Sequence, residues 1–261
     1  MDDKVLEKGS VSETLFIPLQ VKAKETKDPK GVIQDPKAVE IIERMNVDLS
    51  RFDGGNITHV GIMARTTVMD QGTNRFLEQN PKGTVINLGA GLDTRFSRVD
   101  NGSLKWIDLD VPEVIELRKQ YFPGSDRVKS IAKSVFDSSW VDEADVRADE
   151  PVLIIAEGIL MYFKEEDVKK VFDILISHFP NAEMYFDVVH TYFVGKGVSA
   201  NFNWGIDAAK QIESCHQSIK LLESWSTGDL FKKRQSLFFK IMNISSSIRN
   251  RSQILHINFK K

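Results

Sequence analysis

The chain has 261 residues, with 35 Lys and Arg against 37 Asp and Glu, and 41% of its residues are hydrophobic. This is the composition of a folded globular protein, and the length suits one large domain or one domain with an embedded subdomain. The formal net charge of -2 argues against a nucleic-acid binder, and no apolar run approaches the roughly 20 residues of a membrane helix.

The N-terminal part of the chain is predicted to be helical. Asp35-Pro36 is a typical helix start, with the carboxylate as N-cap and Pro at the first helical position. Apolar residues then recur at helical spacing over 38–45. A turn over 53–56 leads into a second helix from about Ile57 to Glu78. We therefore expect residues 1–80 to form a helical cap.

Five short apolar segments are then predicted to be strands of one sheet. They lie at residues 84–88, 104–109, 127–132, 152–156 and 182–189. Helical patterns separate them, including one that begins at Pro112 and one that begins at Glu165. Strands that alternate with helices of this length predict an α/β fold with a doubly wound, mainly parallel sheet.

The pattern is weaker after residue 191. Helices are predicted over 205–213 and 229–242, strands over 219–225 and 252–259, and a surface loop over 243–251. We expect residues 81–261 to form one structural unit, with an insertion at about 190–220 over the active site.

Cysteine and histidine usage limits the chemistry. Cys215 is the single cysteine, which excludes an internal disulfide and multi-cysteine metal sites and fits a reducing compartment. The five histidines, at positions 59, 178, 190, 216 and 256, lack metal-ligand spacing. The first residues are acidic and do not resemble a signal peptide. We expect a cytoplasmic protein that does not insert into membranes and holds no metal.

Three predicted strand ends carry glycines or acidic residues, and the fold would bring them to one edge of the sheet. They are Gly89-Ala90-Gly91, Asp108-Leu109-Asp110 and Glu157-Gly158. Ligands of parallel sheets bind at this edge, and an acid about 20 residues after a glycine loop suits a ribose diol. The glycines alone also fit a simple tight turn. Of the two aspartates we favour Asp110 as the ligand-binding residue and Asp108 as the cap of the Pro112 helix.

The glycine loop departs from the dinucleotide-binding pattern. That pattern needs Gly or Ala at position 94, where this chain has Thr94. Asp93 is a poor neighbour for a pyrophosphate, but it is tolerable beside S-adenosylmethionine, which carries a sulfonium, an ammonium and one carboxylate. The loop therefore favours S-adenosylmethionine over NAD, and an NAD-dependent oxidoreductase remains the less favoured alternative.

The combined motifs resemble those of the leucine carboxyl methyltransferase family, in its bacterial polyketide O-methyltransferase branch of the tetracenomycin type. The matching segments span about residues 12–225 in the family's order: Asp35-Pro36, Ala64-Arg65-Thr66 with Asp70, 85–95, 110–114, 157–163 and 202–205. The resemblance implies a Rossmann-like class I methyltransferase. Such an enzyme uses S-adenosylmethionine to methylate a carboxylate or hydroxyl of a small molecule.

The resemblance also implies roles for the predicted site residues. Arg65 would pair with the carboxylate of the cofactor, a task suited to a planar guanidinium, and Glu157 would face its ammonium group. Gly89 and Gly91 would line the methionine portion, and Asp110 would hold the ribose hydroxyls.

One residue departs from the family's pattern near the adenine. The sequence also does not identify a catalytic residue. Ser134 stands where the family usually has an Asp near the adenine. Tyr162 and His190 are weak candidates for a residue that acts on the acceptor. Because no clear catalytic His or Lys is found, a carboxylate acceptor is favoured over a phenol, which benefits from a base. A lapsed protein that binds S-adenosylmethionine without catalysis is the other alternative.

Overall fold

The computed structural model describes residues 15–45, 55–147, 149–196 and 201–260. Within these residues three helices precede the first strand: α1 (Phe16–Lys27), α2 (Pro36–Met45) and α3 (Gly55–Gln79). The predicted helical character of this part is confirmed for the described residues. The predicted turn over 53–56 is wrong in its second half, because Gly55 already begins α3, and residues 53 and 54 lie outside the described part.

Asp35 begins α2 as the sequence predicts. Its Oδ1 accepts the backbone N–H of Ala38 at 2.9 Å, so the side chain satisfies a donor of the first helical turn. The residue is fully buried, and its Oδ2 accepts a hydrogen bond from Nη1 of Arg98 at 2.6 Å. The cap of α2 thus also ties this helix to the chain that follows the first strand.

Seven strands form one sheet, with the predicted positions confirmed to within one residue. They are β1 (Thr84–Leu88), β2 (Lys105–Asp110), β3 (Val128–Ala132), β4 (Val152–Ala156), β5 (Glu183–Val189), β6 (Ile219–Ser226) and β7 (Ser252–Phe259). Their order is β3-β2-β1-β4-β5-β7-β6. The first five strands are parallel, and β7 runs antiparallel to both β5 and β6. The doubly wound, mainly parallel sheet is therefore confirmed.

In the described part of the chain, six further α-helices connect or follow the strands. They are α4 (Arg95–Val99), α5 (Pro112–Lys119), α6 (Trp140–Ala144), α7 (Glu165–His178), α8 (Leu237–Met242) and α9 (Ser246–Arg249). None of the helices in the described part of the chain combines the length and the apolar character that a membrane crossing requires.

Three predictions in the C-terminal part are wrong. The helix predicted over 205–213 is a short 3-10 helix at Ala209–Ser214, because Ile206 N–H is bonded to the end of β5 at Val189 O. The helix predicted over 229–242 starts only at Leu237. The amide of Gln235 donates to backbone carbonyls at 228 and 230, and this folds the preceding residues into turns instead of a helix. The predicted loop over 243–251 contains α9.

The core fills both faces of the sheet. Two consecutive residues of β4 point to opposite faces of the sheet. Ile154 packs in the cluster that contains Phe172 of α7, and Ile155 packs in the cluster that contains Val68 of α3. Every residue of β4 is buried, as a central parallel strand covered on both sides requires. These layers leave the carboxyl ends of the strands as the open edge, where the predicted site residues lie.

Candidate active site

A cleft of about 230 Å³ lies at the carboxyl ends of β1, β4 and β5. Four of the predicted cofactor residues, Arg65, Gly89, Gly91 and Glu157, line it, and so does Tyr162. Residues of α1 and α3 and of the segment after β5 complete the lining. The structure thus brings together side chains that are far apart in sequence, as the strand-end argument requires.

The two glycines stand at positions where a side chain would be strained and would clash with its neighbours. Gly89 and Gly91 have φ of 63° and 47°, which is the left-handed region. A Cβ atom at Gly89 would lie 2.4 Å from Cδ1 of Ile159, and one at Gly91 would lie 2.8 Å from Cδ2 of Leu15. Glycine is therefore required at both positions, and the backbone of the loop is presented directly to the cleft.

Arg65 is held between two carboxylates. Its Nε donates to Oε1 of Glu157 at 2.9 Å, and its Nη1 donates to Oδ2 of Asp187 at 3.2 Å. Asp187, at the end of β5, also accepts the N–H of Gly158 at 2.6 Å and is almost completely buried. Sequence reasoning missed Asp187. The available signal was a single acid inside an otherwise apolar strand, which is costly unless it is paired.

Arg95 is the centre of a second buried ion-pair group. Its side chain is fully buried and donates to Asp70 at 2.7 Å, to Asp93 at 2.6 Å and to Glu157. Nζ of Lys22 lies 3.2 Å from Oδ1 of Asp93. This corrects the interpretation of Asp93: its charge is compensated by Arg95, Lys22 and, at 3.9 Å, Arg98, so it is no isolated negative charge beside the glycine loop. Sequence reasoning assigned no role to Arg95, although it ends the glycine motif.

These contacts separate the pKa values of the buried carboxyl groups. Burial raises the pKa of Asp93, but Arg95 and then Lys22 outweigh burial and hold the pKa well below its usual range. Burial also raises the pKa of Glu157, but Arg95 and Arg65 lower it by more, so that this pKa lies below its usual value. Burial prevails at Asp187, whose pKa is raised although Arg65 and the Gly158 N–H lower it.

Asp108 and Asp110 have different surroundings at the end of β2. Asp108 is buried and accepts from Nε of Arg118 at 2.9 Å and from Nε1 of Trp106 at 2.8 Å. The prediction that Asp108 caps α5 is wrong, because its carboxylate pairs with a guanidinium further along that helix. Asp110 is half-buried, and its two oxygens accept the N–H groups of Gly91 and Val111, each at 2.8 Å.

The remaining predicted residues lie apart from one another. Tyr162 faces the cleft, and burial raises the pKa of its phenol. Asp110 and Ser134, at the ends of β2 and β3, lie outside the cleft lining, and Ser134 Oγ accepts the N–H of Phe136 at 3.3 Å. His190 also lies outside the lining, and its Nδ1 accepts the N–H of Tyr192 at 3.1 Å. His190 is thus not placed to act as the base for a group in this cleft.

No metal centre is formed by the part of the chain that the structure describes, where no three His, Cys, Asp or Glu side chains group suitably. Cys215 is half-buried, and burial raises the pKa of its thiol. A raised thiol pKa disfavours the thiolate, which is the nucleophilic form.

The cleft continues into an apolar lobe. Its walls include Met161, Val189, Phe193 and the ring of Phe202, whose centroid lies 5.5 Å from that of Tyr162. We call these residues the aromatic lobe. It adjoins the polar end that holds Arg65, so the cleft combines a polar compartment with an apolar one.

Relatives of known name match most of the chain. The sequence profile of the leucine carboxyl methyltransferase family matches residues 17–176. The tetracenomycin polyketide synthesis O-methyltransferase TcmP of Streptomyces glaucescens is 32% identical over 228 residues, which cover 84% of each chain. The S-adenosyl-L-methionine-dependent methyltransferase dpfgK of Gibberella zeae is 28% identical, over 85% of this chain and 86% of that one.

Solved structures with low identity share the fold. A methyltransferase dependent on S-adenosylmethionine from Anabaena variabilis aligns with a TM-score of 0.53 and 13% identity, over 76% of this chain and 85% of that one. The N-methyltransferase NodS of Bradyrhizobium japonicum, in complex with S-adenosyl-L-homocysteine, aligns with a TM-score of 0.50 and 11% identity, over 85% and 98% of the two chains. The Rossmann-like class I methyltransferase fold is confirmed, and by its profile and its relatives the chain belongs to the leucine carboxyl methyltransferase family.

Proposed function

We propose that this S-adenosylmethionine-dependent O-methyltransferase forms a methyl ester on the carboxylate of a small molecule. The observation that supports a carboxylate acceptor is that the acidic side chains in the cleft are already paired with cations. Among the described residues that line it, Asp93 is held by Arg95, Glu157 by Arg95 and Arg65, and Asp187 by Arg65. No carboxylate there is left to act as a free base. An acceptor that is already ionised at neutral pH needs none.

The residues of the cleft fit the cofactor. Gly89 and Gly91, with their left-handed backbone, line the cleft at the end of β1, and Arg65 and Glu157 supply a cation and an anion beside them. Arg65 would hold the carboxylate of the cofactor and Glu157 its ammonium group, because each charge then meets its opposite. Asp110 would accept from the ribose hydroxyls, and Ser134 would lie towards the adenine. When bound, the cofactor supplies an electrophilic methyl group on its sulfonium.

The chain's own part in the transfer is positioning and exclusion of water. An ionised carboxylate oxygen of the acceptor would take the methyl group as the carbon–sulfur bond breaks, with the electron pair left on sulfur, so no residue of the chain would have to remove a proton. Such a step depends on holding the partners in line and desolvated. We assign this task to the described residues of the N-terminal helical part, 15–45 and 55–80, and to those of the segment after β5, 190–196 and 201–220, whose Phe193 and Phe202 belong to the aromatic lobe.

The bond that is formed distinguishes the two acceptor classes. We expect label from methyl-labelled S-adenosylmethionine to enter carboxylic acids and to be released as volatile methanol by mild base, because esters hydrolyse there. Methyl ethers of phenols resist that treatment. The assay uses parallel panels of aromatic and aliphatic carboxylic acids and of phenols. Base-stable label in the phenols alone would contradict the carboxylate proposal and favour a hydroxyl acceptor.

Arg65 provides a test of the cofactor placement. Arg65→Ala is expected to weaken binding of S-adenosylmethionine about ten- to a hundredfold, since it removes a charge-assisted contact of roughly 1.5–3 kcal/mol. Arg65→Lys should restore only part of the affinity, because an ammonium lacks the planar fork. Isothermal titration measures both variants. Arg75→Ala is the control on the same helix, since Arg75 pairs with the exposed Glu223. Affinity equal to the control in a folded Arg65→Ala protein would remove Arg65 from the cofactor site.

A further inference from the structure

Two of the cations that line the cleft lack a carboxylate partner among the described residues. Lys22 pairs with Asp93, and Arg65 pairs with Glu157 and Asp187. Lys196 and Arg251 also line the cleft, but no described Asp or Glu forms an ion pair with either. The described acids thus pair with the cations of the polar end, whereas none of them compensates the charge of Lys196 or Arg251.

Arg251 is held in place by the fold. It directly precedes β7, and its backbone carbonyl accepts the N–H of His190 at 3.0 Å, which fixes it beside the end of β5. Its guanidinium carbon lies 5.5 Å from the centre of the Phe193 ring. Burial lowers the pKa of this guanidinium, and no neighbouring acid raises it again. A partly desolvated charge of this kind gains most from an anion that arrives with a ligand.

Lys196 extends the positive charge along the same wall. Its Nζ lies 3.5 Å from the centre of the Tyr192 ring, and the rings of Tyr192 and Phe193 meet edge to face with centroids 5.1 Å apart. One cation therefore sits against each ring of a single aromatic pair. Because both side chains also line the cleft, their charges border the aromatic lobe.

We propose that Arg251, assisted by Lys196, binds the carboxylate of the acceptor and so determines acceptor specificity. The aromatic lobe supplies the apolar surface beside these cations, so the acceptor class is an aromatic or alkyl body that carries a carboxylate. The assignment rests on the proposed function and adds to it the residue that selects the acceptor. Esterification removes the charge that Arg251 recognises, so the product is held less tightly than the acceptor.

The test measures binding, which does not require turnover. The ligands are benzoate, 2-naphthoate and decanoate, each paired with its primary amide, in the presence of S-adenosyl-L-homocysteine. We expect the parent protein to bind at least one acid about tenfold or more tightly than its amide, because a charge-assisted contact with the partly buried Arg251 is lost in the amide. Arg251→Gln should remove most of this preference while amide and S-adenosyl-L-homocysteine affinities persist. Lys196→Gln should reduce it less.

Two further variants control for charge and for folding. Arg249→Gln changes an exposed cation two residues away and should leave the preference intact. Arg251→Lys keeps the charge and should retain part of the preference. A preference that persists in Arg251→Gln, or its absence from the parent protein, would overturn the assignment. Because the readout is binding, an acid preference that depends on Arg251 supports the subsite even where the methyl-transfer assay yields a base-stable product and the carboxylate proposal fails.

Discussion

Arg95→Ala is expected to lower the free energy of unfolding by about 3–5 kcal/mol, the cost of removing one partner from a buried ion pair. The Arg95 side chain is fully buried and serves the carboxylates of Asp70, Asp93 and Glu157. These side chains are only 18%, 12% and 9% exposed, so water cannot replace the guanidinium well. The loss arises mainly from the three carboxylates that are left in a poorly solvated place.

Urea unfolding of the parent and variant proteins measures this change. Arg127→Ala is the matched control, because Arg127 makes two hydrogen bonds to Asp100 at an exposed site, where removal should leave the unfolding midpoint almost unchanged. A midpoint for Arg95→Ala that matches the control would show that the buried group contributes no more than a surface pair.

The pH dependence of the same variant has a defined sign. The pKa values of Asp93 and Glu157 are lowered on folding, against the effect of burial, chiefly by Arg95. Their contribution to stability is therefore present above the ordinary carboxyl pKa of about 4 and is lost as the pH falls through the lowered values. The stability difference between the parent and Arg95→Ala should be largest near neutral pH and should shrink in acid, where protonated carboxyls need no cation.

Asp108→Ala and Asp110→Ala are expected to fail in different ways, although the two residues lie on one strand. Asp108→Ala should lower the free energy of unfolding by about 3–5 kcal/mol, because Arg118 is then left as a buried cation without its carboxylate. Asp110→Ala should weaken S-adenosylmethionine binding by about 1–3 kcal/mol, because in the proposed placement of the cofactor two ribose hydroxyls lose their acceptor. Asp110→Asn keeps one acceptor oxygen and should lose less.

Each aspartate variant is the control for the other. Unfolding midpoints and cofactor affinities are measured for all three variants and the parent protein. Our assignment is reversed if Asp108→Ala folds normally and loses cofactor affinity while Asp110→Ala retains it. Unchanged affinity in both alanine variants would show that the ribose does not sit at the end of β2.

The strands were predictable because their signal is local. A segment such as β4, with five apolar residues in a row, is stable only when it is buried on both faces of a sheet. A glycine or an acidic residue directly after such a segment indicates where the strand ends. The C-terminal helices were less predictable because turns compete with them. A single amide, that of Gln235, satisfies two backbone carbonyls and keeps the chain out of a helix until Leu237. Whether a side chain forms such hydrogen bonds depends on the folded positions of the atoms, which the spacing of apolar residues in the sequence does not reveal.

The meeting of the site residues at one edge of the sheet was predicted better than the ion pairs among them. Gly89, Gly91 and Glu157 were recognised from strand ends and motifs, and the structure places them in one cleft. The partners of Asp93 were not recognised, because Lys22 lies 71 residues away in sequence. Arg251 was overlooked for the same reason, whereas Asp187 did carry a local signal, as a single acid inside an otherwise apolar strand.

The place of β7 in the sheet has a consequence for how the protein is made. β7 is hydrogen-bonded between β5 and β6, so it supplies both the outer neighbour of β5 and the attachment of β6. A ribosome releases β5 well before residues 252–259 emerge. Throughout synthesis of residues 190–251 the nascent chain therefore presents an unpaired β5 edge, the kind of surface to which other unfinished chains adhere and which chaperones shield.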